Sequence, residues 1–258
     1  ARSEMCIRDR SWMRQRIAEP FALDGPLFRI DLVRLSAGQW YCLMQYHHLI
    51  ADGYSMAYLT RALADLYQRG LAGAGDRDGQ GDAGPRPSCR DYIVEDQAYR
   101  ESPAFEADRA YWLDKHRAPP APLYSRRGSD VASSGQVSLS LPRELWGRVE
   151  AFAGANDSRP LHVFLAALYL YFTRCGHRDE LAIGLPMLNR PGDAHRQMAG
   201  CCASINPARF AYGRDLTFLD LLGRIGDDLR RDRAHARFPV EEVARHAGAA
   251  LSLIHISD

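Results

Sequence analysis

Residues 46–55 read YHHLIADGYS: two adjacent histidines, three further residues, then Asp52 and Gly53. The stretch closes the run QWYCLMQYHH (39–48), which is aromatic-rich and almost continuously apolar, the pattern of a strand covered on both faces. From Tyr54 the period changes. Met56, Leu59, Leu63 and Leu66 recur at spacings of three and four, predicting an amphipathic helix that ends near Gly70. The histidines therefore sit at a strand-to-helix turn. Side chains of consecutive strand residues face opposite sides, so His47 and His48 cannot both enter one cavity.

Working outward, PFALDGPLFRIDLVRL (20–35) carries a Gly25-Pro26 turn signal and then Phe28, Ile30 and Leu32 alternating with Arg29 and Asp31, the period of a half-buried strand. Residues 70–88 are rich in glycine and proline with interspersed charge and read as a linker at a lobe boundary. Residues 89–117 read as two helical pieces broken near Ser102-Pro103, anchored by Tyr92, Tyr99, Phe105, Tyr111 and Trp112. After a proline-rich loop, GQVSLSLP (135–142) alternates as a strand and the next segment is a helix opened by Pro142. Ser158 is expected to cap a core helix with Leu161, Phe164, Leu165, Leu168, Tyr169 and Phe172 on one side. ELAIGLPMLNR and CCASINPARFAY read as strands and residues 216–234 as an amphipathic helix. This mixture without strict alternation indicates an α+β fold.

Composition excludes several function classes. With 33 basic and 32 acidic residues among 258, the net charge of +1 gives no electrostatic case for nucleic acid or an anionic membrane. The six cysteines form no CxxC pair, so reduced thiols in a cytoplasmic protein are expected, with the Cys201-Cys202 pair as small buried hydrophobes. No apolar run approaches the roughly 20 residues that span a bilayer. The two ends, ARSEMCIRDR (1–10) and the residues from about 250 to 258, resemble translated sequencing-adapter read-through and are set apart from fold reasoning as foreign.

A metal reading of the two histidines fails, because two ligands from one segment need helical i, i+4 spacing or a loop, and neither CxxC nor HExxH supplies further ligands. A pair of buried core histidines would be the bland alternative. Chance, however, would give HHxxxDG in roughly one chain per thousand of this composition. An imidazole with an ordinary pKa of about 6.5 can accept a proton at neutral pH, which suits acyl transfer to an amine or hydroxyl. No GxSxG elbow is present, favouring direct transfer between two bound substrates over a covalent acyl-enzyme. Asp52 is then expected to hold the turn through a buried ion pair with an arginine, and Gly53 to let backbone approach the reacting carbonyl.

HHLIADGYS resembles the HHxxxDG core of the condensation domains of non-ribosomal peptide synthetases, relatives of chloramphenicol acetyltransferase. PFALDGPLFRIDLVRL, the stretch 89–112 ending in Tyr111-Trp112, and IGLPMLNRPG (183–192) are similar to further family segments. GCCASINPAR keeps Gly200, Pro207 and Arg209 but has Ser204 where the family usually has asparagine, and HARFPVEE matches at His235, Pro239 and Glu241. The resemblance covers about residues 12–248, roughly the middle half of a complete domain.

It implies two chloramphenicol acetyltransferase-like lobes in a V-shaped pseudodimer, both incomplete, with residues 11–85 belonging to the N-lobe and 86–249 to the C-lobe. It implies His48 as the catalytic residue, His47 as its structural neighbour in the motif, Gly53 near the developing oxyanion, and a salt bridge from Asp52 to Arg190 or, second, Arg209. The implied reaction is amide formation between a donor acyl thioester and an aminoacyl acceptor, both on the phosphopantetheine arms of peptidyl or aryl carrier proteins. An adjacent adenylation domain is implied in the parent chain, with no cofactor or metal bound directly. The wording of the motif and of 97–112 points toward a siderophore pathway with an aryl donor. An epimerisation domain and a non-catalytic carrier-docking relative are the alternatives. Uncovered strand edges imply poor solubility and no activity for these 258 residues alone.

Overall fold

The structure, a computed structural model, describes residues 7–73, 88–118, 120, 137–176, 180–213, 215–239 and 242–243. In chain order the elements are α1 (Ile7–Ala18), β1 (Phe28–Arg34), β2 (Trp40–Tyr46), α2 (Gly53–Leu71), α3 (Cys89–Arg100) and α4 (Pro103–Lys115). There follow α5 (Arg143–Ala155), α6 (Pro160–Cys175), β3 (Leu181–Met187), the single turn α7 (Asp193–Arg196), β4 (Ser204–Phe210) and α8 (Phe218–Ala234). They divide into two units, residues 1–98 with 190–203, and residues 99–189 with 204–258. Most of the linker expected over 70–88, residues 74–87, lies outside the described residues, as do Glu241 and the C-terminal end from 244. Helix α1 begins at Ile7, inside the N-terminal stretch set apart on sequence grounds.

In the first unit β1 and β2 form an antiparallel hairpin, in register from Phe28 opposite Tyr46 to Arg34 opposite Trp40. The alternation seen in the sequence produces the strand, but with its sides reversed from the simplest expectation. The apolar side is open, with Phe28, Ile30 and Leu32 at 54, 50 and 70% exposure. The polar side is the covered one because α1 binds it: Arg16 Nε donates to Asp31 Oδ2 at 3.0 Å, and the Arg16 carbonyl accepts from Gln45 Nε2 at 3.2 Å. Nor is β2 covered on both faces, since Trp40 and Tyr41 are exposed and no third strand joins this sheet among the described residues. The stripe on α2 forms as a helix face, yet Met56, Leu63 and Leu66 are also exposed.

The second unit has a developed core. β3 and β4 pair antiparallel from Leu181 opposite Phe210 to Met187 opposite Ser204. Leu165, Ala166 and Tyr169 of α6, Leu181, Ile183 and Leu185 of β3, Ala208 and Phe210 of β4, and Leu221 and Ile225 of α8 form one buried cluster. Burying each large member contributes about 1.5–3 kcal/mol. The first turn of α6 is less buried than its stripe implied, with Leu161 and Phe164 exposed; its N-cap is Arg159 rather than Ser158, whose hydroxyl instead meets His162 Nδ1. α8 opens on the capping box of Thr217 and Asp220.

A second cluster joins Tyr99, Phe105, Trp112, Phe238 and Val243. Trp112 is fully buried and its indole donates to the His235 carbonyl at 2.7 Å, so the Tyr111-Trp112 pair is packing. Residues 137–142 carry no strand, and Val137 and Leu139 are almost fully exposed; period-two alternation needs a partner edge, and none pairs with them among the described residues.

Candidate active site

The turn after β2 is built by local hydrogen bonds. The His47 amide donates to the Leu27 carbonyl at 2.8 Å, the Leu49 amide to His47 Nδ1 at 3.1 Å, and the Ile50 amide to the His47 carbonyl at 3.0 Å. The His47 ring also meets Phe21 edge to face, with centroids 6.0 Å apart. His47 is thus tied into the framework. His48, which like His47 lies beyond the end of β2 and so outside the strand alternation expected of the pair, is exposed.

Asp52 is the N-cap of α2, in extended backbone conformation, with Gly53 as the first helical residue. Aspartate is favoured there because its carboxylate satisfies an N–H that the first turn cannot. Here it accepts the Ser55 amide at 2.8 Å. A Cβ at Gly53 would meet nothing within 4 Å, so the first-turn backbone is open to approach on that side.

The carboxylate does far more than cap. Its Oδ1 also accepts from Arg190 Nη2 at 3.0 Å and lies 2.8 Å from Ser55 Oγ. Its Oδ2 accepts from Arg190 Nη2 at 3.0 Å and from the amides of Cys202 and Ala203 at 3.0 and 3.1 Å. Arg190 Nη1 donates to the carbonyls of His195 and Met198, and the guanidinium lies over the Tyr54 ring at 5.0 Å. Ser55 Oγ accepts the Gly200 amide at 3.0 Å and sits 2.7 Å from the Gly200 carbonyl. The side chains of Arg190 and Asp52 are 0 and 1% exposed. Burial acts to raise the Asp52 pKa, but the donors from Ser55 and Cys202 and the Arg190 charge outweigh it and hold the carboxyl below its ordinary 3.8. Asp52 is therefore an ionised strut that ties the start of α2 to Arg190.

Of the two arginines offered as its partner, Arg190 lies against Asp52. Arg209 is in the second unit and is committed elsewhere, its Nε donating to Glu180 Oε2 at 2.8 Å and its Nη1 to the Ala118 carbonyl at 2.8 Å. The sequence reading also missed residues that complete the knot. Ser55 is fully buried, and its signal was present as a hydroxyl three residues after the cap. Cys202 is buried as expected, whereas Cys201 is exposed and places Sγ 3.5 Å from His48 Nδ1. That contact joins residues 153 apart and left no mark in local sequence pattern. A cavity of about 560 Å³ in the second unit, lined in part by Arg159, His162, Met187 and Arg230, contains none of the motif residues. Among the described residues no group of three or more His, Cys, Asp or Glu is arranged to hold a metal ion.

Residues 2–252 match the family model of the condensation domain. The chain belongs to the condensation domain family. This condensation domain is 28% identical over 241 residues to a plipastatin synthase subunit from Bacillus subtilis (strain 168), covering 90% of this chain and 9% of that protein. It is 28% identical over 232 residues to enterobactin synthase component F of Escherichia coli (strain K12), covering 87% and 17%. Among solved structures, the first condensation domain of the CDA synthetase superposes with a TM-score of 0.78 at 27% identity, over 94% of this chain and 54% of that one. VibH, a condensation enzyme, shares the fold at a TM-score of 0.76 and 20% identity, over 95% and 57%. The chain thus spans about half the length of these solved condensation proteins and a small part of the two synthetases. Its helices and strands are those of the α+β, chloramphenicol acetyltransferase-like fold. No helix among the described residues is long and apolar enough to cross a membrane.

Proposed function

We propose that this chain carries the catalytic turn of an acyltransferase of non-ribosomal peptide synthesis. The enzyme joins a donor acyl thioester to the amine of an aminoacyl acceptor, each delivered on the phosphopantetheine arm of a carrier protein. The observation that carries the reading is an exposed imidazole, His48, on a turn whose far end is locked by the buried Asp52–Arg190 ion pair.

In this reaction the amine nitrogen attacks the thioester carbonyl carbon and an amide C–N bond forms. The C–S bond breaks as the tetrahedral intermediate collapses. His48 accepts or orients the proton that the amine loses and can return it to the departing thiolate. Gly53, in the first turn of α2, can place an N–H near the developing oxyanion, an interaction often contributing about 3 kcal/mol in acyl transfer. Asp52 stays ionised and holds the geometry. Peptidyl or aryl carrier proteins are the partners and an adenylation domain the neighbour in the parent chain, in the cytoplasm. The likeness to enterobactin synthase component F supports a siderophore pathway.

The test supplies donor and acceptor thioesters to the full-length parent synthetase and follows product by mass spectrometry. Amide that forms with the parent and disappears with His48→Ala supports the reading. Undiminished amide in His48→Ala removes it, α-epimerised acyl thioester identifies an epimerisation domain, and no chemistry with intact carrier binding identifies a docking relative. The 258 residues alone are expected to be inactive, because apolar surface on β1 and α2 is uncovered.

A further inference from the structure

Adjacent histidines of one motif meet different partners here through the same ring nitrogen. A neutral imidazole has one N–H donor and one lone-pair acceptor, and the partner of one nitrogen fixes the role of the other. His47 Nδ1 receives the Leu49 amide, so it is an acceptor and the neutral ring carries its proton on Nε2. His48 Nδ1 instead faces the sulfur of Cys201 at 3.5 Å.

We infer that Cys201 is a positioning residue for His48: its sulfur accepts the Nδ1–H, selecting the tautomer whose Nε2 lone pair is free to take the proton of the attacking amine. The inference rests on the catalytic reading of His48 given above. The backbone on both sides of Cys201 is fixed to the same buried knot that ends the histidine turn. Gly200 is bonded through its amide to Ser55 Oγ, and the amides of Cys202 and Ala203 donate to Asp52 Oδ2. Residue 201 is therefore presented to His48 by two anchors one residue away on either side. Burial, and next the charge of Asp52, raise the Cys201 thiol above its ordinary pKa, so the sulfur is a neutral thiol rather than a thiolate nucleophile. The other polarity, S–H donating to Nδ1, would place the ring proton on Nε2 and leave no lone pair there for the amine. The two polarities are spectroscopically distinct.

The test has two arms. In the histidine-labelled full-length parent protein, nitrogen NMR of the imidazoles should show His48 protonated on Nδ1 and His47 on Nε2 at neutral pH, and Cys201→Ala should move the His48 proton toward Nε2. In the full-length synthetase Cys201→Ala should lower kcat roughly fivefold, the scale of one neutral hydrogen bond, with KM unchanged. Cys201→Ser, whose oxygen can accept the same N–H, should restore most of the loss. A wild-type His48 protonated on Nε2 overturns the inference, as does an Ala variant with unaltered tautomer and unaltered kcat. Product that survives His48→Ala is a separate result. It removes the catalytic reading, whatever the tautomer.

Discussion

Replacing Asp52 with asparagine is nearly isosteric, yet no orientation of the amide fits the site. Placed toward the Oδ2 position, the NH₂ meets the N–H groups of Cys202 and Ala203; placed toward Oδ1, it meets the Ser55 amide. Each opposed buried donor costs about 1–3 kcal/mol. Arg190 would also lose the counter-charge for a guanidinium with no exposed side-chain surface, a change that costs about 3–5 kcal/mol in comparable buried pairs. These penalties overlap, so the expected loss is about 4 kcal/mol, a large part of the 5–15 kcal/mol by which domains are stable.

The readout is hydrogen exchange at the amides of Cys202, Ala203 and Ser55, which should accelerate by about three orders of magnitude, at 1.4 kcal/mol per tenfold. Arg190→Met added to Asp52→Asn should cost less than the sum of the two single changes by at least ~2 kcal/mol, because the double variant has no unpaired charge. The pH dependence has a definite sign. The folded carboxyl titrates below its ordinary 3.8, so its contribution is present above that value and is lost as pH falls through the depressed one. Asp52→Asn should therefore flatten the acid limb of stability. Amides of residues 202 and 203 exchanging within about threefold of wild type would refute this account of the knot.

Two further outcomes concern other buried groups. His116 donates Nε2–H to the Pro207 carbonyl at 3.0 Å and leaves Nδ1 without a hydrogen-bond partner, and burial pushes its pKa down to about 4. The unfolded chain then takes up the proton first, so stability should fall by roughly 3 kcal/mol as pH drops from about 6.5 to 4; in His116→Gln the urea midpoint should lose that slope, and an unchanged slope contradicts the assignment. At Gly200 an added Cβ would lie 2.9 Å from Cys89 Sγ, so Gly200→Ala should lower stability by about 1–3 kcal/mol. Cys89→Ala in the same chain should recover most of the lost Tm, and failure to do so would show that the clash is not with the sulfur.

Local features were legible wherever one residue's environment is set by near neighbours. The change of period at Tyr54 located the start of α2, Ser102-Pro103 located the break between α3 and α4, and the apolar run LAIGLPM located β3. What periodicity could not say is which side of an element is covered. β1 has the predicted alternation, but Arg16 reaches Asp31 from 15 residues away and covers the polar side. On α6 the burial maximum lies at Leu165 and Tyr169 rather than at Leu161, because α8 and β3 meet its middle turns. At the site, the motif pointed to His48 and Asp52, while Ser55 and Cys201 owe their places to contacts with distant backbone. Such contacts depend on tertiary packing and have no period to read.

The bonds between Arg190 and Asp52 span 138 residues. On a ribosome adding about 5–20 residues per second, roughly 7–28 s separate the emergence of the histidine turn from that of the arginine that fastens it. Throughout that interval the nascent chain has its histidine pair in sequence but no lock to hold the turn in place. Folding of the histidine turn is thereby tied to synthesis of the second half of the chain, and a product truncated before residue 190 would carry the motif in an unfastened form.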